Sequence, residues 1–235
     1  MKVLSGASRY RAARPEGTAP ELGEEGTAYE RVYQTLRLSI LTGGFLPGRA
    51  VTLRGIADEF GVSPMPVREA VRRLIAERAL ELKDNRRVAV PAMSAAKFEQ
   101  IVLARRMLEP ELAVRALPRL GPPEMDAIDR IDAAIDACMA QGDIEGYMRN
   151  NHAFHFAIYA RAEAETLYAL VESVWLQFAP FMRVVYGRFG TANLIDQHVL
   201  ARDAIRAGDA AALASAISED IMQGMRFIGE EALTG

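Results

Sequence analysis

The feature that most constrains the fold is a pair of short helical patterns within residues 53–76, with only Gly61, Val62 and Ser63 between them. Each pattern places its apolar residues on one helical face. Glycine can adopt the positive φ that a tight turn between crossed helices requires, and the small Ala57 allows the two helices to approach closely. The pattern predicts a helix-turn-helix with the apolar positions Ile56, Ala57, Phe60, Val67, Val71, Leu74 and Ile75.

The second helix of this motif carries two prolines in its first turn, Pro64 and Pro66. Prolines are tolerated there because the first backbone N–H groups of a helix have no partner within it. Ser63 is a favoured N-cap, and since Pro66 has no N–H, we expect Ser63 to cap the N–H of Met65. In such motifs the N-terminal end of the second helix enters the major groove of DNA.

After residue 79 the apolar period changes from 3.6 to 2 around the turn pair Asp84-Asn85, so residues 80–90 are predicted to form a β-hairpin. A helix-turn-helix followed by a hairpin is a winged helix. Basic residues of the wing could reach DNA phosphates. The alternating and basic positions are Leu80, Leu82, Val88 and Val90, and Lys83, Arg86 and Arg87.

Residues 29–91 resemble the DNA-binding domain of the GntR family of bacterial transcription regulators. The resemblance rests on the approach at residues 40–48 and on the run Pro66-Val67-Arg68-Glu69-Ala70. Pro64 and Met65 stand where the family usually has Arg and Thr, so two polar contacts are lost and no operator sequence can be transferred. The resemblance implies DNA contacts from Arg54, Ser63, Pro64, Met65, Pro66, Arg68, Asp84 and Asn85.

The charge of the chain is divided unevenly along its 235 residues. Residues 27–91 carry 11 basic against 7 acidic side chains, whereas residues 92–235 carry 13 against 20. A basic domain followed by an acidic one is typical of a DNA-binding domain joined to a second domain that does not bind DNA. Residues 1–26 lack periodicity and predict a disordered tail, with a basic arm that touches the DNA backbone as the alternative.

Two absences in the sequence narrow the class of protein. Cys138 is the only cysteine, which leaves no disulfide framework and no cysteine-based zinc cluster. No apolar run approaches 18 residues, and charged residues interrupt the N-terminal stretch where a signal peptide would need an apolar core. The sequence therefore predicts a cytoplasmic protein with no membrane segment.

The C-terminal part shows helical periodicity throughout and no strand pattern. Glycine-containing turns separate six segments, enough for a helical bundle that buries a sizeable core. The predicted fold is thus mainly α, with an N-terminal winged helix-turn-helix of three helices and a small hairpin at residues 27–91 and an all-α bundle at 92–235. The six predicted helices are 95–117, 122–141, 144–161, 164–188, 193–207 and 210–229.

Four polar residues of the bundle could meet in space. Asn151 and His155 are four residues apart and so share one helix face. His198 and Asp220 each lie about 16 Å from the turn at residues 208–209, at a rise of 1.5 Å per residue, so an antiparallel helix pair places them level. If the first face points at this pair, the set suits Zn²⁺, Ni²⁺ or Mn²⁺. The alternative is that each residue is a satisfied polar side chain.

The runs around Asn151-His155 and Gln197-Asp209 resemble the FCD domain, the all-helical effector domain of the FadR-type subfamily. Many members hold a divalent metal with one Asp and three His. The resemblance puts Asn151 in place of the Asp, His155 and His198 on two of the His, and Asp220 on the third. It also implies that Arg105 and Arg183 face the effector, although Arg105 could instead pair with Glu109.

These observations predict a GntR-family transcriptional regulator, interpreted as a repressor. It would bind a palindromic DNA operator as a homodimer, because one recognition helix reads only a few base pairs. A small metabolite, interpreted as a carboxylate, would control its DNA affinity. Two alternatives are a metal-free regulator that senses a larger apolar ligand such as an acyl thioester, and a metal-dependent enzyme that uses His155, His198 and Asp220.

Overall fold

The structure, a computed structural model, describes residues 26–84, 87–189 and 196–232. Its described part falls into two compact units. The first extends to residue 40 and continues over 44–91, and the second takes residues 41–43 and those from 92 onward. The tail predicted for residues 1–26 lies outside the described residues, apart from Gly26.

The first unit contains three helices and three short strands in the order α1, β1, α2, α3, β2, β3. Helices α2 and α3 bury their apolar faces together with that of α1, and the core includes Leu36, Ile40, Ile56, Val71 and Leu74. This arrangement confirms the predicted winged helix-turn-helix. The elements span Ala28–Leu41 (α1), Val51–Thr52 (β1), Leu53–Phe60 (α2), Pro64–Ala76 (α3), Glu81–Lys83 (β2) and Arg87–Ala89 (β3).

The tight turn of the motif follows from its capping residues. The side-chain oxygen of Thr52 accepts a hydrogen bond from the backbone N–H of Gly55 at 2.9 Å and so caps the start of α2. Gly61 ends α2 with φ of 63° and ψ of 32°, a left-handed conformation that costs other residues free energy. Ala57 is 2% exposed where the helices meet.

The wing is a three-stranded antiparallel sheet in the order β1-β3-β2 rather than a bare hairpin. Strand β3 pairs with β2, with Leu82 opposite Val88, and with β1, with Val51 opposite Val88. The hairpin was predicted, whereas β1 was not. A two-residue strand is too short to produce a periodic pattern, and only pairing with β3 defines it.

The second unit consists of the helices α4 to α9. Helix α4 packs chiefly against α9 and α7, α5 packs against α6, and α8 packs against α9. The observed bounds lie within a few residues of the predicted ones, and residues 193–195 of the fifth predicted helix lie outside the described residues. The helices are Ala95–Ala116 (α4), Pro122–Gln141 (α5), Ile144–Tyr159 (α6), Glu165–Phe189 (α7), Gln197–Ala207 (α8) and Ala210–Ala232 (α9).

Large apolar side chains fill the bundle, and helices α6 and α7 contribute most of the aromatic ones. Trp175, Phe178, Phe154 and Tyr159 are each at most 1% exposed. The buried polar residues on the helices α4 to α9 are Arg105, Glu109, Asp132, Asn151, His155, Gln197 and His198. Burial of polar groups is unfavourable unless they are paired, so their partners identify the candidate site. No helix in the described ranges combines the length and apolar character needed to span a membrane.

Candidate functional site

The N-terminal end of α3 presents an exposed surface in the first unit. Ser63 precedes the helix with φ of −67° and ψ of 157°, yet its side chain makes no capping hydrogen bond, so the expected bond to Met65 is wrong. The N3 position, a usual donor to an N-cap oxygen, is occupied by Pro66, which has no N–H. The exposed Ser63 hydroxyl is consequently not used in capping.

The side chains that follow Ser63 combine apolar and basic character. Met65 is 62% exposed next to the exposed Pro64. Arg68 is exposed one turn into α3 and, within the described ranges, has no ion-pair partner. Arg72, one turn further on, is paired with Glu69 at 2.7 Å. Among the described residues, Arg68 is therefore a cation without an ion-pair partner near the start of this helix.

The other predicted DNA-contacting residues lie on α2 and on the wing. Arg54 is exposed at the second position of α2. Asp84 is exposed directly after β2, and Asn85 lies outside the described residues. On the wing, Lys83 pairs with Glu81 at 2.5 Å.

In the second unit, three potential metal ligands from three helices come together. His155 on α6, His198 on α8 and Asp220 on α9 each offer one ligand atom, and these atoms all lie within 4.8 Å of one another. The Nε2 atom of His155 is 3.2 Å from Asp220 Oδ2, and the Nε2 atom of His198 is 3.7 Å from Asp220 Oδ1. Asn151 is 5% exposed and lies one turn before His155 on the same helix face.

The other ring nitrogen of each imidazole has a partner of its own. His155 Nδ1 is 3.2 Å from the Tyr159 hydroxyl, which donates to Glu109 Oε2 at 3.0 Å. His198 Nδ1 is 3.4 Å from Asp132 Oδ1. Arg202 bonds both Asp132 and Asp129 and thereby links α8 to α5.

These contacts shift the pKa values of the acids and of His198. Burial opposes ionisation of Asp220, but the close contact and charge of His155, with the charges of His198 and Arg105, outweigh it and lower the pKa of Asp220 to about 2. Burial opposes protonation of His198, yet the hydrogen bond to Asp132 and the charge of Asp220 outweigh it and raise its pKa. The pocket thus favours the ionised form of Asp220 and the protonated form of His198.

The donor set fits a divalent metal. The Nε2 atoms of His155 and His198 are both buried without a hydrogen-bond partner in the described part of the chain, although both face Asp220. Buried polar atoms without partners are uncommon, and a bound ion is one explanation for them. Two imidazole nitrogens and a carboxylate oxygen are ligands that Zn²⁺, Ni²⁺ and Mn²⁺ accept.

The two arginines predicted to contact the effector are both engaged elsewhere. Arg105 is 4% exposed and pairs with Glu109 through Nε at 2.6 Å and Nη2 at 3.2 Å. Its guanidinium lies 4.0 Å from the ring centroid of Phe178 and 4.9 Å from that of Trp175. Arg183 Nη1 donates to the carbonyl oxygen of Thr42 at 3.2 Å.

Comparison with known families accounts for both units. Residues 28–90 match the model of bacterial regulatory proteins of the gntR family, and residues 100–222, more than half of the chain, match the model of the FCD domain. This protein belongs to the GntR family and carries an FCD domain. It is therefore a transcriptional regulator with a helical effector-binding domain, as its sequence predicted.

The relatives of this GntR-family regulator are transcription regulators too. The HTH-type transcriptional regulator McbR of Escherichia coli is 24% identical over 204 residues, 86% of this chain and 92% of McbR. The HTH-type transcriptional repressor GlaR of the same organism is 27% identical over 192 residues, 75% and 87% of the two chains. The solved structure of Escherichia coli McbR/YncC superposes with a TM-score of 0.83 at 23% identity, covering 88% and 99% of the chains, and supports the fold.

Sequence reasoning missed several polar residues that surround the ligand set of this regulator. Tyr159 and Asp132 contact the two imidazoles, and Glu109 was considered only as a partner of Arg105. Tyr159 could have been found, since it lies four residues after His155 on the same helix face. Asp132 had no such local signal, because it is 66 residues away from His198 in the sequence.

Proposed function

We propose that this regulator is a homodimeric repressor that binds a palindromic operator. Residues 27–91 would form the DNA-binding domain, residues 92–235 the effector-binding and dimerisation domain, and residues 1–26 a tail. Two recognition helices one helical turn of DNA apart multiply the specificity that one helix can provide. Its role as a repressor rather than an activator is supported by the relative GlaR, which is named a transcriptional repressor. A reader of chromosomal DNA of this kind would act in the cytoplasm.

We further propose that the effector-binding domain senses a small carboxylate at a divalent metal held by His155, His198 and Asp220, with Asn151 as a fourth donor. The observation that carries this proposal is the convergence of three ligand atoms within 4.8 Å. A bound Zn²⁺, Ni²⁺ or Mn²⁺ supplies a Lewis-acidic position that attracts carboxylate oxygens. An effector that also used Arg105 would have to compete with Glu109, which already pairs with it.

Control of DNA binding requires that the effector has different affinities for two arrangements of the dimer. One arrangement would place the recognition helices at the spacing of the operator half-sites, and the other would not. A carboxylate that binds the second arrangement more tightly releases the operator. We propose this direction, in which the effector relieves repression, and the direction is open to direct measurement.

The experiment combines elemental analysis of the purified protein with a thermal-shift screen of small carboxylates, repeated after chelation. We expect a stoichiometric metal and a carboxylate shift that disappears with the chelator and returns with the metal. Asp220→Asn should lose both the metal and the shift. Absence of a metal and of a chelator-sensitive, carboxylate-induced shift in melting temperature would contradict the proposed sensing site. It would leave the role of the protein as a transcriptional regulator untouched.

A further inference from the structure

We propose that Tyr159 and Asp132 are positioning residues that determine which ring nitrogen of His155 and of His198 is available to the metal. Arg105 and Glu109 hold Tyr159 in place through hydrogen bonds, and we call the series Arg105, Glu109 and Tyr159 the arm behind His155. The arm behind His198 consists of Arg202 and Asp132. This inference rests on the proposed metal site, and the experiment below separates a failure of the inference from a failure of that site.

The arm behind His155 has a defined direction of hydrogen bonding. Glu109 is fully buried and forms a bidentate pair with Arg105, so its carboxylate accepts hydrogen bonds and does not donate them. The hydroxyl of Tyr159 has a single proton, which it donates to Glu109 Oε2 at 3.0 Å. The phenol oxygen must then accept from His155, so Nδ1 at 3.2 Å carries the hydrogen of this imidazole.

The start of this arm is held rigidly in place. The guanidinium of Arg105 lies over the adjacent rings of Phe178 and Trp175, at 4.0 and 4.9 Å from their centroids. Such stacking together with a bidentate carboxylate pair restricts a guanidinium strongly. The order Arg105, Glu109, Tyr159, His155 therefore connects a fixed cation to the imidazole through three hydrogen-bonded steps.

The arm behind His198 also places the hydrogen of its imidazole on Nδ1. Arg202 bonds Asp132, which keeps this carboxylate as an acceptor. The facing nitrogen of the imidazole, Nδ1 at 3.4 Å from Asp132 Oδ1, consequently carries the hydrogen. A carboxylate in this position behind a histidine fixes the tautomer and makes the opposite nitrogen a better metal ligand.

Both imidazoles thus present the lone pair of Nε2 toward Asp220. The separations are 3.2 Å for His155 and 3.7 Å for His198, and neither Nε2 has a hydrogen-bond partner within the described ranges. Lone pairs that face carboxylate oxygens repel one another unless a cation lies between them. The two arms therefore preorganise a cation site before the metal arrives.

The first experiment reads the tautomers directly. The chain has only three histidines, so ¹⁵N-histidine labelling gives six ring-nitrogen signals, which single-histidine variants assign. In metal-free protein, at a pH high enough for the ring-nitrogen signals to show neutral imidazoles, we expect the Nδ1–H tautomer for both His155 and His198. Tyr159→Phe should change the ring signals of His155 alone, and Asp132→Asn those of His198 alone.

The second experiment measures Zn²⁺ affinity by competition with a chromophoric chelator. Each variant should bind Zn²⁺ about 10-fold more weakly or worse, the usual effect of losing a partner behind a metal-binding histidine. Tyr33→Phe is the control for Tyr159→Phe, since it also removes a buried hydroxyl bonded to a glutamate, but in the first unit. Asp129→Asn is the control for Asp132→Asn, because Asp129 also bonds Arg202 but has no contact with His198 in the described part of the chain.

The outcomes of these experiments separate the positioning roles of Tyr159 and Asp132 from the proposed metal site. Unchanged tautomers, or Zn²⁺ affinities equal to those of the controls, would overturn the positioning roles. If Tyr159→Phe does not fold, Glu109→Gln interrupts the same arm at the next residue, and an unchanged His155 signal there counts equally against the inference. A wild-type protein that shows the expected tautomers but binds no Zn²⁺ would refute the proposed metal site and leave the tautomer assignment standing.

Discussion

At the scale of single residues, Arg68 is the side chain whose contribution to DNA binding is most open to test. It is exposed on α3 and unpaired within the described ranges, so its removal leaves no buried partner unsatisfied. We expect Arg68→Ala to weaken operator binding by about 1–3 kcal/mol, or roughly 5- to 150-fold, with an unchanged melting temperature.

Fluorescence anisotropy with an operator selected in vitro measures this loss. Arg115→Ala is the control, because Arg115 is an exposed arginine of the second unit, paired with Glu111 at 2.7 Å. Equal affinities of the two variants would exclude a specific contact by Arg68.

Met65 allows a prediction about the operator itself. A thioether that is 62% exposed beside Pro64 offers apolar surface and no strong hydrogen-bond donor at the end of α3 that we expect to enter the major groove. The apolar group that the major groove presents is the C5-methyl of thymine. We expect at least one thymine of the selected operator to lose affinity when it is replaced by deoxyuridine.

Met65→Ala should abolish this methyl effect, because the contacting side chain is gone. Titration of wild-type and variant protein against both oligonucleotides forms a double-mutant cycle. If the methyl effect has the same size in both proteins, another residue reads the thymine.

At the scale of elements, the turn between α8 and α9 determines whether His198 and Asp220 face each other. Gly208 ends α8 with φ of 67° and ψ of 22°, and a Cβ atom there would meet nothing within 4 Å. The cost of Gly208→Ala is therefore conformational rather than steric, about 1–2 kcal/mol of unfolding free energy.

Gly208→Asn should cost less, since asparagine adopts the left-handed conformation more readily. Gly142 is the matched control, with φ of 67°, ψ of 21° and an equally open Cβ position at the end of α5. Urea denaturation measures the unfolding free energy of Gly208→Ala, Gly208→Asn, Gly142→Ala and Gly142→Asn. A much larger loss at Gly208 than at Gly142 would indicate a tertiary role for this turn beyond its backbone conformation.

At the scale of the whole molecule, regulation requires free-energy coupling between the operator and the effector. If a carboxylate lowers operator affinity by some factor, the operator must lower carboxylate affinity by the same factor. We expect factors of about 5–150, the common range for such coupling.

Calorimetric titration of the metal-loaded protein with the carboxylate, with and without operator DNA, tests this equality. The Asp220→Asn variant should bind the operator with wild-type affinity but show no coupling, because only the sensing site is removed. Coupling that persists in this variant would place the effector at another site.

Much of the candidate site could be predicted because its parts are local in sequence. The helix-turn-helix depends on capping, glycine conformation and periodicity within about 20 residues. The placement of His198 and Asp220 at nearly equal distances from the turn at residues 208–209 needs only the rise of a helix. In the structure, His198 Nε2 and Asp220 Oδ1 lie 3.7 Å apart. The convergence of His155 with this pair required an assumption about which face of α6 points inward.

The sequence by itself determined the family, the two helical modules and the residues available as metal ligands. These properties depend on short-range patterns of apolar residues, turns and motifs. Only the tertiary structure decided that Tyr159 is bonded to Glu109, that Asp132 stands behind His198, and that β1 completes the sheet. Most of these contacts join elements 35 to 70 residues apart, and no local periodicity specifies which side chains of packed helices or strands will meet.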